Sequence, residues 1–321
     1  MAIDEATAGL LAQIAESGAQ PLHELTPQAG REVMAEMSAL GGPGPEVASV
    51  YDEQIETADG DQFTVRVLVP AGDIRALVVY LHGGGWVIGN LDTHDHLVRI
   101  LATRLQAAIV NVDYRLAPEH RFPAAVDDSW AALLWANERM TEIAGGPVPL
   151  VVMGDSAGGN LSAVVARRAR DAGGPQLASQ VLIYPVTDAD LDTACYLDPE
   201  NQLLLTRESM IWFWDHYAPD PADRKHPDAS PLQAGDLSGL APAIVLTAEH
   251  DPLRDEGEAY AQQLAVAGVP VTQQRFAGQM HAFFTMVGVL PGSAAGIDYV
   301  CEHLDRHLGA RPQPQPQPVA D

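Results

Sequence analysis

The sequence predicts an α/β architecture, a mainly parallel central sheet flanked by helices and carrying a helical cap. Three observations predict it. Short, uninterrupted apolar runs alternate with stretches of helical length. A hairpin pattern precedes that alternation, and two segments stand outside it. With 321 residues, 47% of them hydrophobic and 19% charged, the chain has enough apolar material to cover a large sheet on both faces as one core with an appendage.

The elements follow in chain order. Residues 1–45 hold a helix near Glu5 to Glu16 and a second with Thr26 as N-cap and Pro27 at its first position, closed by Gly41-Gly42-Pro43. Val47 to Glu56 and Phe63 to Val69 flank Asp59-Gly60, the pattern of an antiparallel hairpin at a sheet edge. Leu77 to Leu81, Ala108 to Val112, Leu150 to Met153, Val181 to Tyr184 and Ala243 to Leu246 suit strands covered on both faces. Helical stretches at Thr93 to Leu105, Ala124 to Arg139, Ala157 to Arg170 and Asp255 to Ala267 then imply right-handed crossovers.

The span Thr187 to Ala241 is far longer than a crossover needs. The division expected is therefore N-terminal cap helices at 1–45, a first part of the catalytic core at 46–186, a cap insertion at 187–241 and the second part of the core at 242–310. The Pro/Gln run within 311–321 reads as a disordered, extended tail.

Composition excludes several classes. The formal charge of −25, from 43 acidic and 18 basic residues, repels phosphate backbones and anionic headgroups, so neither nucleic acid nor a membrane surface is expected as a partner. Cys195 and Cys301 are far apart and lack metal-type spacing, so both read as plain thiols. No basic start with an apolar run marks a signal peptide, and no uncharged apolar stretch reaches the roughly 18 residues of a membrane span. A cytoplasmic enzyme is the expectation.

The chemistry centres on Gly154-Asp155-Ser156-Ala157-Gly158, between the strand ending at Met153 and the helix starting near Ala157. Such a strand-to-helix turn is tight enough to need small flanking residues, and it lifts the serine hydroxyl above the sheet as a nucleophile, the elbow of an α/β-hydrolase fold. The structural alternative is a serine that merely caps a helix. A second motif, His82-Gly83-Gly84-Gly85-Trp86, follows the strand ending at Leu81. Glycines let backbone N–H groups approach a developing oxyanion, and Gly83, Gly84 and Ala157 are the donors assigned. No P-loop lysine or Gly-x-Gly-x-x-Gly pattern supports a phosphate cradle instead.

The order serine, acid, histidine leaves His250, His281, His303 and His307 as candidate bases. His303 and His307 belong to an amphipathic C-terminal helix, where a surface role fits better than metal binding, and His250 sits beside an aspartate it cannot easily face. His281 follows the strand-like Val271 to Phe276 and a turn at Gly278, at a strand end where a base for Ser156 must lie. Asp251, just past the strand from Ala243, is the acid that would orient it. Glu249, Asp255 and Glu256 are rivals, Asp255 suiting the start of the next helix.

With these motifs, and with Tyr114 to His120, Phe122-Pro123-Ala124-Ala125 and Asp251-Pro252-Leu253-Arg254-Asp255-Glu256-Gly257, the chain resembles the bacterial hormone-sensitive-lipase family of esterases, in the subgroup whose elbow reads Gly-Asp-Ser-Ala-Gly. The resemblance implies hydrolysis of short- to medium-chain acyl esters through a Ser156-His281-Asp251 triad and an acyl-enzyme, with no cofactor and no metal. It also implies a cap over the site and a small-molecule ester as substrate. Relatives are often homodimers, though no edge of this sequence announces one. Ala282 stands where that family usually has glycine, and Gln279 is atypical.

Three further groups attract attention. Tyr114 to Phe122 reads as a structural crossover held by Arg115 and Glu119. His94-Asp95-His96 resembles a metal cluster but reads as a helix start after Asp92 or Thr93. Trp212, Phe213, Trp214 and Tyr217 either line a substrate pocket or anchor a cap helix. Two other functions stay in view: an amidase or formamidase using the same triad, and a binding protein of the same fold.

Overall fold

The computed structural model describes residues 2–309, so the tail expected at 311–321 lies outside the described residues. Two helices open the chain, α1 (Glu5–Ser17) and α2 (Pro27–Ala39), the second capped by the Thr26 side chain as its sequence requires. The hairpin follows as β1 (Ser49–Glu56) and β2 (Gln62–Val69), paired antiparallel from Ser49 opposite Val69 to Glu56 opposite Gln62.

The alternation then runs β3 (Ala76–Leu81), α3 (Leu91–Leu105), β4 (Ala107–Asp113), α4 (Ala124–Glu138), α5 (Met140–Ala144), β5 (Leu150–Asp155), α6 (Ala157–Asp171) and β6 (Ser179–Ile183). Short helices fill the long insertion, namely α7 (Ala194–Leu197), α8 (Arg207–Tyr217) and α9 (Pro221–Arg224). β7 (Ala243–His250), α10 (Arg254–Val266), β8 (Val271–Met280) and α11 (Pro291–Leu308) complete the order.

All eight strands join one sheet in the order β1-β2-β4-β3-β5-β6-β7-β8, antiparallel at β1-β2 and β2-β4 and parallel elsewhere. The expected α/β-hydrolase architecture is thus present. Alternate side chains of β3 enter opposite cores. Leu77, Val79 and Leu81 pack with Ala132 and Leu133 of α4 and Leu161 and Val165 of α6, whereas Val78 and Tyr80 pack with Leu97 and Leu101 of α3 and Ile297 and Val300 of α11. Burial on both faces explains the continuous apolar runs.

Some local expectations change. The helix carrying His94 is capped by Asn90, whose side chain accepts the Asp92 and Thr93 N–H groups, so Asp92 and Thr93 lie inside the first turn. Strand β8 does not stop before Gly278 but runs to Met280, with a register irregularity opposite Ala248 to His250 and φ of 70° at Gly278. β6 ends at Ile183, and Tyr184 leaves it with φ of 34°. In the segment Tyr114 to Phe122, Arg115 is clamped by buried Asp128 at 2.8 Å, but Glu119 pairs with Arg31 of α2 at 2.7 Å rather than closing its own loop.

The insertion is tied to the sheet by polar contacts. Asn160 of α6 donates to the Val186 and Ala229 carbonyls at 2.9 and 2.8 Å, and Arg168 reaches Asp228 at 2.8 Å. Arg31 likewise donates to Val87 O at 2.9 Å and Ala117 O at 3.0 Å, which fixes α2 beside the loop after β3.

Candidate active site

β5 lies between β3 and β6 and ends at Asp155, so Ser156 emerges from the middle of the sheet at the strand's C-terminal end. It adopts φ 54° and ψ −117°, a conformation unusual for a residue with a side chain and a form of strain typical of functional turns. The glycines around it are required sterically. A Cβ on Gly154 would sit 2.3 Å from Gly158 O, and one on Gly158 would sit 1.8 Å from Leu81 O. Although Ser156 stands at the N-cap of α6, its side chain makes no capping bond, which removes the purely structural reading.

Its Oγ instead lies 3.0 Å from His281 Nε2, and His281 Nδ1 lies 2.7 Å from Asp251 Oδ2. Asp251, fully buried past the end of β7, spends its other oxygen on the Leu253 N–H at 2.9 Å. The extension of β8 to Met280 carries His281 to this point. Tyr184 packs against the imidazole at 4.6 Å between ring centroids. A hydroxyl, an imidazole and a carboxylate linked in this order can pass a proton from serine to histidine while holding the ring in one tautomer.

The rivals lie elsewhere. Glu249 accepts the Gly278 N–H at 2.7 Å, and Asp255 pairs with Arg254 at 2.7 Å. Glu256 takes the Thr187 N–H at 2.7 Å, and burial pushes its carboxyl well above the usual range. His250 Nδ1 contacts Glu200 O at 3.2 Å, and His307 contacts Ser179 at 2.9 Å at the start of β6, the opposite strand end from this site.

The amides of the glycine run differ in their partners. Gly83 N–H donates to the Asp155 carboxylate at 3.1 Å. Among the described residues, the N–H groups of Gly84, Gly85 and Ala157 have no protein acceptor. Gly84 and Gly85 have φ of 115° and 56°, and a Cβ on them would meet Ile88 O and the Phe213 ring, each at 2.1 Å. Gly85, which the sequence reading did not assign, thus joins Gly84 and Ala157 as an amide without a protein acceptor. The motif offers three successive glycines, and only the fold reveals which N–H the protein itself uses.

The aromatics of α8 divide. Tyr217 stacks on Trp86 with centroids 4.2 Å apart and Trp214 packs against it tilted at 4.8 Å, both as anchors, whereas Phe213 lies against Gly85. Two open surface hollows, of about 590 and 480 Å³, lie around Arg66 and Arg115 and include none of Ser156, His281 or Asp251. Cys195 and Cys301 are both buried, and burial pushes the Cys195 thiol up to about 11. Among the described residues, no group of three or more His, Cys, Asp and Glu side chains could hold a metal ion, and no helix is long and apolar enough to cross a membrane.

Residues 78–285 match a family model described as alpha/beta hydrolase fold. The chain belongs to that family. It is 46% identical to the carboxylesterase NlhH of Mycobacterium tuberculosis over 251 residues, 77% of this chain and 79% of that protein. With the ethyl acetate hydrolase of Pseudomonas putida it shares 39% identity over 296 residues, 90% of this chain and 92% of the relative. Among solved structures, an ester hydrolase from the Lake Arreo metagenome, complexed with a bipyridine phosphonate derivative, superposes with a TM-score of 0.89 at 38% identity, covering 96% of this chain and 100% of its own. A hyperthermophilic esterase from Pyrobaculum calidifontis gives 0.88 at 36% identity, covering 95% and 99%. The resemblance to hormone-sensitive-lipase-type esterases expected from the motifs is borne out.

Proposed function

We propose that Ser156 attacks the carbonyl carbon of an ester to form an acyl-enzyme, with His281 as general base and Asp251 orienting it. The chain is a carboxylic ester hydrolase, in keeping with relatives named carboxylesterase and ethyl acetate hydrolase. His281 takes the hydroxyl proton through Nε2 and returns it to the departing alcohol oxygen. Water, activated by the same imidazole, then releases the acid. The N–H groups of Gly84, Gly85 and Ala157 stabilise the tetrahedral oxyanion. The observation that carries this reading is the pair of contacts at 3.0 and 2.7 Å that links Ser156, His281 and Asp251.

Segments 1–45 and 187–241 act as the cap, a reading supported by Arg31 on the Val87 carbonyl and by Phe213 on Gly85. Phe213 narrows the space in front of the oxyanion donors, which favours small and medium acyl groups. Labelling with a fluorophosphonate, followed by peptide mass spectrometry, tests the assignment. A single adduct on Ser156 is expected, and an adduct on another residue, or none, contradicts it. Rates across p-nitrophenyl esters should peak at an acyl length of about eight carbons or fewer, as for a pocket of bounded depth.

A further inference from the structure

The residue before Ser156 is a carboxylate almost wholly withdrawn from water. Asp155 Oδ1 accepts the Tyr80 hydroxyl at 2.7 Å and the Gly83 N–H at 3.1 Å. Its Oδ2 lies so close that a Cβ on Gly83 would be 2.2 Å away. His94 of α3 brings Nε2 to 3.5 Å from Oδ1, an ion-pair distance though not a hydrogen bond, and among the described residues this buried nitrogen has no hydrogen-bond partner. Its Nδ1 is 3.0 Å from the Thr93 hydroxyl, whose oxygen also accepts the Asn90 N–H at 3.0 Å and lies 2.9 Å from the Asn90 carbonyl.

That carbonyl can only accept, so the Thr93 proton goes to it and the Thr93 oxygen accepts from Nδ1–H. The carboxylate facing Nε2 also only accepts. Both ring nitrogens therefore face acceptors, the pattern of a protonated imidazole. The neighbouring His82 differs. Burial, reinforced by His94, pushes it down to about 3, and it stacks neutral on Tyr114 at 4.3 Å. Burial also opposes ionisation of Asp155, but the His94 and Tyr80 contacts outweigh it and hold the carboxyl below its usual range.

A lone buried carboxylate at this place would repel the negative charge that develops on the substrate oxygen. We propose that His94 is the buried counter-cation of Asp155, and that the pair positions the glycine run while leaving no net charge beneath the oxyanion. The proposal rests on the oxyanion assignment above. Both are positioning residues, acting through the Gly83 amide.

Steady-state kinetics on a p-nitrophenyl ester with His94→Gln, Asp155→Asn and the double variant tests the pair. His94→Gln should lower kcat on the order of 10-fold to 100-fold, less than loss of an oxyanion donor, with KM within about threefold. Asp155→Asn keeps an oxygen for Gly83 N–H and should stay within about tenfold of the parent. The double variant should recover most of the activity lost by His94→Gln, because no charge is left to compensate. Nitrogen-15 NMR at neutral pH should show both His94 ring nitrogens protonated in the parent and only one in Asp155→Asn. A fully active His94→Gln, a double variant no faster than His94→Gln, or a singly protonated His94 in the parent would each overturn the proposal. Should His94→Gln fail to fold, the two spectra decide. Failure of the nucleophile assignment would look different, as undiminished turnover by Ser156→Ala.

Discussion

Trp86 and Tyr217 lie face to face, their ring centroids 4.2 Å apart and their planes 9° from parallel. Trp86 directly follows the glycine run and has φ of 61°, so this stack joins helix α8 to the loop that presents Gly84 and Gly85. The Tyr217 hydroxyl is buried with no hydrogen-bond partner among the described residues. Tyr217→Phe should therefore be neutral or stabilising by up to about 1 kcal/mol, since an unpaired buried hydroxyl contributes nothing favourable. Tyr217→Ala should cost about 3–5 kcal/mol and lower kcat/KM, because it leaves a cavity under Trp86. Denaturant unfolding of the two variants checks the contrast, and equal losses would contradict it.

Ala282 has φ of 69°, a left-handed conformation in which its methyl group is strained. Relief of about 1–2 kcal/mol in Ala282→Gly is partly offset by about 0.4–1 kcal/mol of extra unfolded-state entropy. Stability should rise by up to about 1 kcal/mol on balance. Ala282→Val should lose more than about 1 kcal/mol, since a branched side chain tolerates this conformation worse. Thermal unfolding of both variants checks the order, and a marked loss in Ala282→Gly would refute it.

Burial, with the nearby Asp92 charge, raises the Asp113 carboxyl to about 6. Below about pH 4 both folded and unfolded states hold this proton and the group is without effect on stability. As pH rises towards 6 the unfolded state gives the proton up first, so stability falls through that window and the deficit persists above it. Asp113→Asn removes the buried charge and should stabilise the protein above pH 6 by up to about 3 kcal/mol, with the gain vanishing towards pH 4. A gain independent of pH would show that the carboxyl titrates normally.

Much of this was legible in the sequence because burial on both faces leaves a direct mark. Leu77 to Leu81 and Leu150 to Met153 are apolar at every position, as central parallel strands must be. The elbow was legible because steric contact between Gly154 and Gly158 forbids larger residues there. Hydrogen-bond partners across the fold were not. Whether Gly83 N–H is free depends on β3 and β5 being neighbours, which brings Asp155 beneath it. Strand β8 could not be followed past Gly278 because a bulge and a turn both use a glycine of positive φ. The role of Tyr217 depended on Trp86, 131 positions earlier by their numbers, finding it in space.

The central claim is that Ser156 is the nucleophile, and single-site kinetics of Ser156→Ala test it most directly. With folding verified by an unchanged unfolding transition, kcat on a p-nitrophenyl acyl ester should fall on the order of 10⁶-fold. Turnover comparable to the parent enzyme would contradict the account.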